Sequence, residues 1–199
     1  MKGRIITNVT PQQKIVGVNN KFGNTNIKNQ QGTTRTLFDT LPIDGRTTFR
    51  FFEDANTRQF PLTNIGSEGN RLNVGEAFVV QKVYFGVLLV DPDTGLFDEF
   101  NPLSIAGPYE WANGEWSFLI ANSQVIKQLP FSNCFDINQN VTQTNTADEA
   151  FSTFNDIVIP PLLEYVLTYR TSSYTADPAA RLVCFIEGTA GILAPQTTF

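Results

Sequence analysis

The 199-residue chain contains no histidine. This removes the commonest general base, the commonest metal ligand and any Ser-His or Cys-His nucleophile pairing. Cysteine occurs twice, at Cys134 and Cys184, each inside an apolar stretch. Two buried free thiols are expected rather than a disulfide, because a chain of this size does not need a covalent staple. The longest apolar stretch, Ala77 to Val90, is interrupted by Gln81, Lys82 and Gly86. No window therefore approaches the ~18 apolar residues of a membrane-spanning helix. The N-terminus carries Lys2 and Arg4 but no continuous apolar segment of a signal peptide. A soluble protein made in a cytoplasm is expected.

One absence is local. Lys2, Arg4, Lys14, Lys21, Lys28 and Arg35 all precede the first carboxylate, Asp39. The chain holds fourteen Lys and Arg and nineteen Asp and Glu, so the remaining eight bases face every acid. The net charge of −5 thus divides between a positive segment and an acidic body. Residues 1–34 read as an extended arm, dense in Asn, Gln, Thr and Gly, with one short strand expected at Ile15–Val18. Residues 35–199 read as a single domain. The arm has too little apolar surface to fold alone and is expected to dock on a neighbour or touch something anionic. Lys2, Arg4, Lys14, Lys21 and Lys28 are the candidate contacts. Binding of phosphates by such an arm would be sequence-independent and sensitive to salt. An anionic membrane leaflet would attract it in the same way.

What is abundant is phenylalanine, with seventeen copies. Large rigid side chains, β-branched runs and polar turns favour strands over helices. Short strands are expected at Thr34–Phe38, Thr47–Phe52 and Arg58–Leu62, the first two separated by a turn at Asp44-Gly45. Ala77–Asp91 is a long strand in which Gly86 marks a bend or bulge. Strand character returns over Asp156–Arg170, interrupted by Pro160-Pro161, which cannot donate to a ladder. Arg181–Glu187 is the last. Thr146-Ala-Asp-Glu149 is a capping box leading into Ala150, Phe151 and Phe154 at helical spacing, so one short helix is expected in a loop. With no βαβ rhythm, the pattern argues for an all-β antiparallel sandwich or barrel, and a single jelly roll suits the length.

Chemical motifs are sparse. Asn113-Gly114 has the residues of a type I′ hairpin turn and would set Trp111 across from Trp116. Such a pair is either a sugar-stacking platform or a packing pair. Asp91, Asp93, Asp98 and Glu99 are hard oxygen donors of the kind calcium prefers, but Gly95 falls at the wrong position for an EF-hand loop, and an exposed acidic turn explains them as well. No nucleotide loop, nucleophile elbow or Cys-x-x-Cys is present. An enzyme is not expected, and neither is a cofactor or a metal.

Several stretches together resemble the jelly-roll capsid proteins of bacteriophages. They are the acid-free arm from Met1 to Phe38, the Phe-rich Thr47–Phe52, Val74–Phe85, the proline-preceded Ile157–Tyr169, and Leu182–Gly188 with its terminal Glu-Gly. The resemblance covers most of the chain as a style rather than through one diagnostic motif. It implies a virion structural protein, a single jelly-roll subunit serving as shell, penton or auxiliary protein of an icosahedral capsid. Its partners would be copies of itself and other capsid proteins. The arm would reach a neighbour, the genome nucleic acid or an inner viral membrane. The protein would reside in the virion after assembly in the host cytoplasm. Pro195–Phe199 would offer a terminal Phe to an adjacent subunit. The other reading is a β-sandwich carbohydrate- or receptor-binding module using Trp111 and Trp116, with Tyr109 nearby.

Overall fold

Alternating apolar residues in most of the expected strands bury one face of each, and two antiparallel sheets result. The computed structural model describes residues 10, 13, 15, 17, 30–66, 69–90, 97–102, 114–130, 151–171 and 177–193. The strands are β1 (Gln30–Ile43), β2 (Thr48–Phe51), β3 (Ala77–Val90), β4 (Phe97–Pro102), β5 (Glu115–Ile120), β6 (Ser123–Pro130), β7 (Phe151–Ile159), β8 (Tyr165–Arg170) and β9 (Asp177–Leu193). One sheet runs β1-β9-β3-β4, with β7 also on β3; the other runs β2-β8-β5-β6. We call them sheet A and sheet B.

The pairings nest. β1 pairs with β9, β2 with β8, β3 with β7 and β5 with β6, all antiparallel. β4 is an addition: it takes the edge of β3 from Gly86 to Val90, beyond the Phe78–Val83 stretch held by β7. The all-β sandwich expected from the strand pattern is therefore present.

The two inner faces meet through aromatic rings. Phe85 of sheet A lies 5.9 Å from Phe51, 5.4 Å from Tyr169 and 6.0 Å from Trp116, all of sheet B. Such tilted and edge-on contacts satisfy the ring quadrupoles better than face-to-face stacking. All four rings are buried, so the Phe-rich composition is used to fill the space between the sheets.

β3 keeps its core phase through a bulge. The register breaks between Val80 and Lys82, so Gln81 and Lys82 are both exposed while Phe78, Val80, Val83 and Phe85 are buried. Residues 153–156 of β7 bow out opposite Gln81, between the pairs Val80–Ile157 and Lys82–Ser152. On the other side stands Gly188, where an added Cβ would sit 1.9 Å from the Val79 carbonyl oxygen. Only glycine lets the two backbones approach so closely.

Five local expectations are corrected. The bulge in β3 falls at Gln81, whereas Gly86 is paired on both sides, with Pro102 and Val183. Phe151 and Phe154 lie in β7 and not in a helix, because pairing with β3 overrides local helical spacing; Thr146–Ala150 lies outside the described residues. Arg58–Leu62 is not a strand, since Arg58 turns inward to a buried carboxylate. At Ile15 and Gly17 the backbone is helical rather than extended. Trp116 has Leu129 and Tyr169 as its ladder neighbours, so both edges of β5 are occupied there and Trp111 cannot be its cross-strand partner. Trp111 itself, like Tyr109, lies outside the described residues.

Candidate functional site

The five arm bases singled out in the sequence, Lys2, Arg4, Lys14, Lys21 and Lys28, lie outside the described residues. The described points of the arm show how it meets the body. Thr10 and Gln13 exchange hydrogen bonds: the Thr10 N–H donates to Gln13 Oε1 at 2.9 Å, and the Gln13 N–H to Thr10 Oγ1 at 3.3 Å. This is the reciprocal pair of a capping box, and the Thr10-x-x-Gln13 spacing was readable in the sequence. Two residues on, Ile15 is buried against Ala77, Val79 and Val158. Ala77 and Val79 alternate with the core residues Phe78 and Val80, so Ile15 seats on the outer face of sheet A. Gly191 makes room for it: a Cβ there would lie 2.5 Å from Ile15 Cγ2. The sixth base, Arg35, is paired with Glu76 at 3.3 Å.

The same outer face carries a row of rings across three adjacent strands. Phe38 of β1 is opposite Phe185 of β9, which is opposite Tyr84 of β3. The Phe38–Phe185 centroids are 5.9 Å apart, and the Tyr84–Phe185 pair is stacked at 4.8 Å. All three side chains are half-buried. The Tyr84 hydroxyl donates to Glu187 Oε1 at 2.8 Å. Burial first, and the Glu187 carboxylate second, push the Tyr84 hydroxyl well above the usual tyrosine range. It remains a neutral donor under ordinary conditions.

At the free edge of β1 the loop after β2 is locked down. Asp39 is fully buried and receives Arg58 Nε at 3.0 Å and Arg58 Nη2 at 2.7 Å. The Phe52 N–H donates to Asp39 Oδ2 at 2.7 Å. Phe52 has φ 71°, a left-handed conformation that an aromatic residue adopts only when its surroundings impose it. Burial pushes the Asp39 carboxyl up, against the lowering effect of the Arg58 and Phe52 hydrogen bonds. Beside it, Thr40 Oγ1 donates to the Leu62 carbonyl, and Asn64 bonds Phe38 N–H and the Thr36 carbonyl. The loop thus covers β1 from Thr36 to Thr40. These polar groups hold structure and leave no open acid–base pair.

Trp116 is 1% exposed and presents no platform to a ligand. Of the acidic turn, residues 91–96 lie outside the described residues, and Asp98 and Glu99 fall in β4. Among the described residues no group of three or more His, Cys, Asp or Glu could hold a metal ion. Cys184 is a buried thiol outside any disulfide, as the apolar flanks predict, and Cys134 lies outside the described residues. No protein-family model matches the chain, and no curated protein matches it.

Proposed function

We propose that the chain is a virion structural protein, a single jelly-roll subunit of an icosahedral bacteriophage capsid, acting as shell, penton or auxiliary protein. The observation that carries the reading is the nesting of strand pairs. With β4 set aside as an addition, the orders β1-β9-β3-β7 and β2-β8-β5-β6 describe one long antiparallel ribbon wound into two sheets, which is how a jelly roll of eight strands is built. The way the charges are used supports it. Arg35, Arg46, Arg50, Arg58 and Arg71 each face a carboxylate of the same chain. Such pairs stiffen a scaffold and do not supply a reacting group.

The partners in this reading are copies of the chain and other capsid proteins. The Phe38–Phe185–Tyr84 row and the seat of Ile15 make the outside of sheet A the better face for such contacts, since partly buried aromatics are favoured where proteins meet. The basic residues of the arm would take an anionic partner, genome nucleic acid or an inner viral membrane. Electron microscopy of the purified protein tests the reading. Closed shells, or rings of fixed symmetry, are the expected result; a field of dispersed monomers would count against it.

A further inference from the structure

β6 is an edge strand of sheet B whose backbone leaves the two-residue period twice. Phe118 pairs with Ile126 and Leu119 with Gln124, so Val125 is an extra residue. Trp116 pairs with Leu129, so Lys127 and Gln128 together oppose Ser117. In a regular strand Gln124, Ile126 and Gln128 would share one face. Here Ile126 is buried in the core while Gln124 and Gln128 are exposed. Two bulges, one on each side of Ile126, separate the amides from the core residue between them. The strain is visible at Gln128, whose φ of 41° lies in the region that side-chain-bearing residues avoid. Bulges of this kind re-aim side chains and are common beside functional sites.

Gln124 and Gln128 both line a depression of 280 Å³ on the outside of sheet B. Glu115, Trp116 and Ser117 of β5 and Thr168 and Arg170 of β8 complete its walls. Glu115 and Arg170 approach only to 3.9 Å, with side chains 41% and 59% exposed. That is beyond hydrogen-bonding distance, so the carboxylate keeps acceptor capacity and the guanidinium keeps donors. Among the described residues, the Ser117 and Thr168 hydroxyls and the two amides enter no side-chain hydrogen bond.

The chemistry of the ligand follows from this set. One carboxylate and one guanidinium cancel, so the site does not select an ion. Donors and acceptors are interspersed at close spacing. A neutral polyhydroxylated ring, each of whose hydroxyls both donates and accepts, uses all of them. The volume lies just under the ~300–1,000 Å³ of drug-sized ligand sites, which suits one sugar ring. We propose that this depression binds a single neutral sugar residue, free or at the end of a glycan. The inference does not depend on the virion reading. If the bulges served only to blunt an exposed sheet edge, the identity of Gln124 and Gln128 would not matter to any ligand.

Saturation-transfer NMR on the full chain tests this, with methyl glycosides of glucose, galactose, mannose and N-acetylglucosamine, with lactose, and with sialic acid as the anionic control. The expected result is transfer to at least one neutral sugar, with affinity falling about tenfold in Gln124→Ala and in Gln128→Gly. Gln128→Gly relieves the left-handed strain, so its melting temperature should be unchanged or higher while the affinity falls. Stronger binding of lactose than of either component monosaccharide would assign the site to a glycan end, and equal binding to the free sugar. Absence of transfer from every neutral sugar, transfer to sialic acid alone, or full binding by both variants would overturn the proposal.

Discussion

Asp39 and Arg58 form a two-pronged ion pair at the free edge of β1, with the carboxylate fully buried and the Arg58 side chain 19% exposed. The pair ties the loop after β2 to the β1 edge of sheet A and holds Phe52 in its left-handed turn. Removing one member of such a pair leaves a buried charge without compensation, at a cost of roughly 3–5 kcal/mol. Arg58→Ala should therefore lose about that much stability in urea unfolding at neutral pH. Arg58→Lys should recover only part of it, since an ammonium cannot reproduce the planar fork. A loss below ~1 kcal/mol in Arg58→Ala would show that water reaches Asp39 through the loop.

The pH dependence of the same site has a definite sign. Burial raises the Asp39 pKa in the folded state above the ordinary aspartate value of 3.8. Between the two values the folded chain binds more protons than the unfolded chain. The contribution of Asp39 to stability is therefore full below the unfolded value and is lost as pH rises through the folded one. Asp44, lowered by its hydrogen bonds from Arg46, acts in the opposite sense but is exposed and contributes little. The stability of the parent relative to Asp39→Asn should fall as pH rises from the unfolded value through the raised folded one and then level off. A relative stability that grows over this range would show that Arg58 outweighs burial.

Gly188 permits the close approach of β9 to the bulge of β3. Gly188→Ala forces a methyl against the Val79 carbonyl, and overpacking of this kind costs ~1–3 kcal/mol or more. Calorimetry should show a lowered melting temperature, with no new ligand-binding effect. An unchanged melting temperature would mean that the β3 bulge is free to shift.

Gly191 and Ile15 predict a separable effect. Gly191→Ala displaces the Ile15 side chain from the outer face of sheet A, and Ile15→Ala leaves its seat empty. Tryptic cleavage after Lys14, Lys21 or Lys28 should speed up severalfold in either variant, while circular dichroism of the sandwich stays the same. Equal cleavage rates in parent and variants would show that Ile15 does not retain the arm.

The charge of the arm makes its own prediction. Neutralising each phosphate contact releases counterions, so binding of single-stranded or duplex DNA should weaken steeply with salt. Replacing Lys2, Arg4, Lys14, Lys21 and Lys28 by Gln should weaken binding and flatten the slope of log K against log salt. A slope unchanged by the five substitutions would remove the electrostatic role of the arm.

Much of the fold was legible because it rests on local alternation. The turn at Asp44-Gly45, the long β3, the start of β8 beyond Pro160-Pro161 and the strand around Leu182–Ile186 follow from side-chain period and proline chemistry. What was not legible depends on pairing between distant strands. Phe151 and Phe154 carry a helical spacing, yet β3 recruits them into β7. Two bulges in β6 reverse the faces of Gln124 and Gln128 without any glycine or proline to announce them. Asp39 gave a signal that could have been used: a lone acid inside Leu37-Phe-Asp-Thr-Leu41 must find a cation when that run is buried, and Arg58 was within reach. The burial of Trp116 depended on which strands flank β5, and Asn113-Gly114 alone could not say.

The solution mass of the purified chain, measured by light scattering over a range of concentrations, tests the central claim most directly. A virion subunit of this build predicts a mass that is a fixed multiple of the 22.2 kDa chain, as trimers, pentamers or closed particles, stable on dilution. A single species of 22.2 kDa at every concentration reached would contradict it.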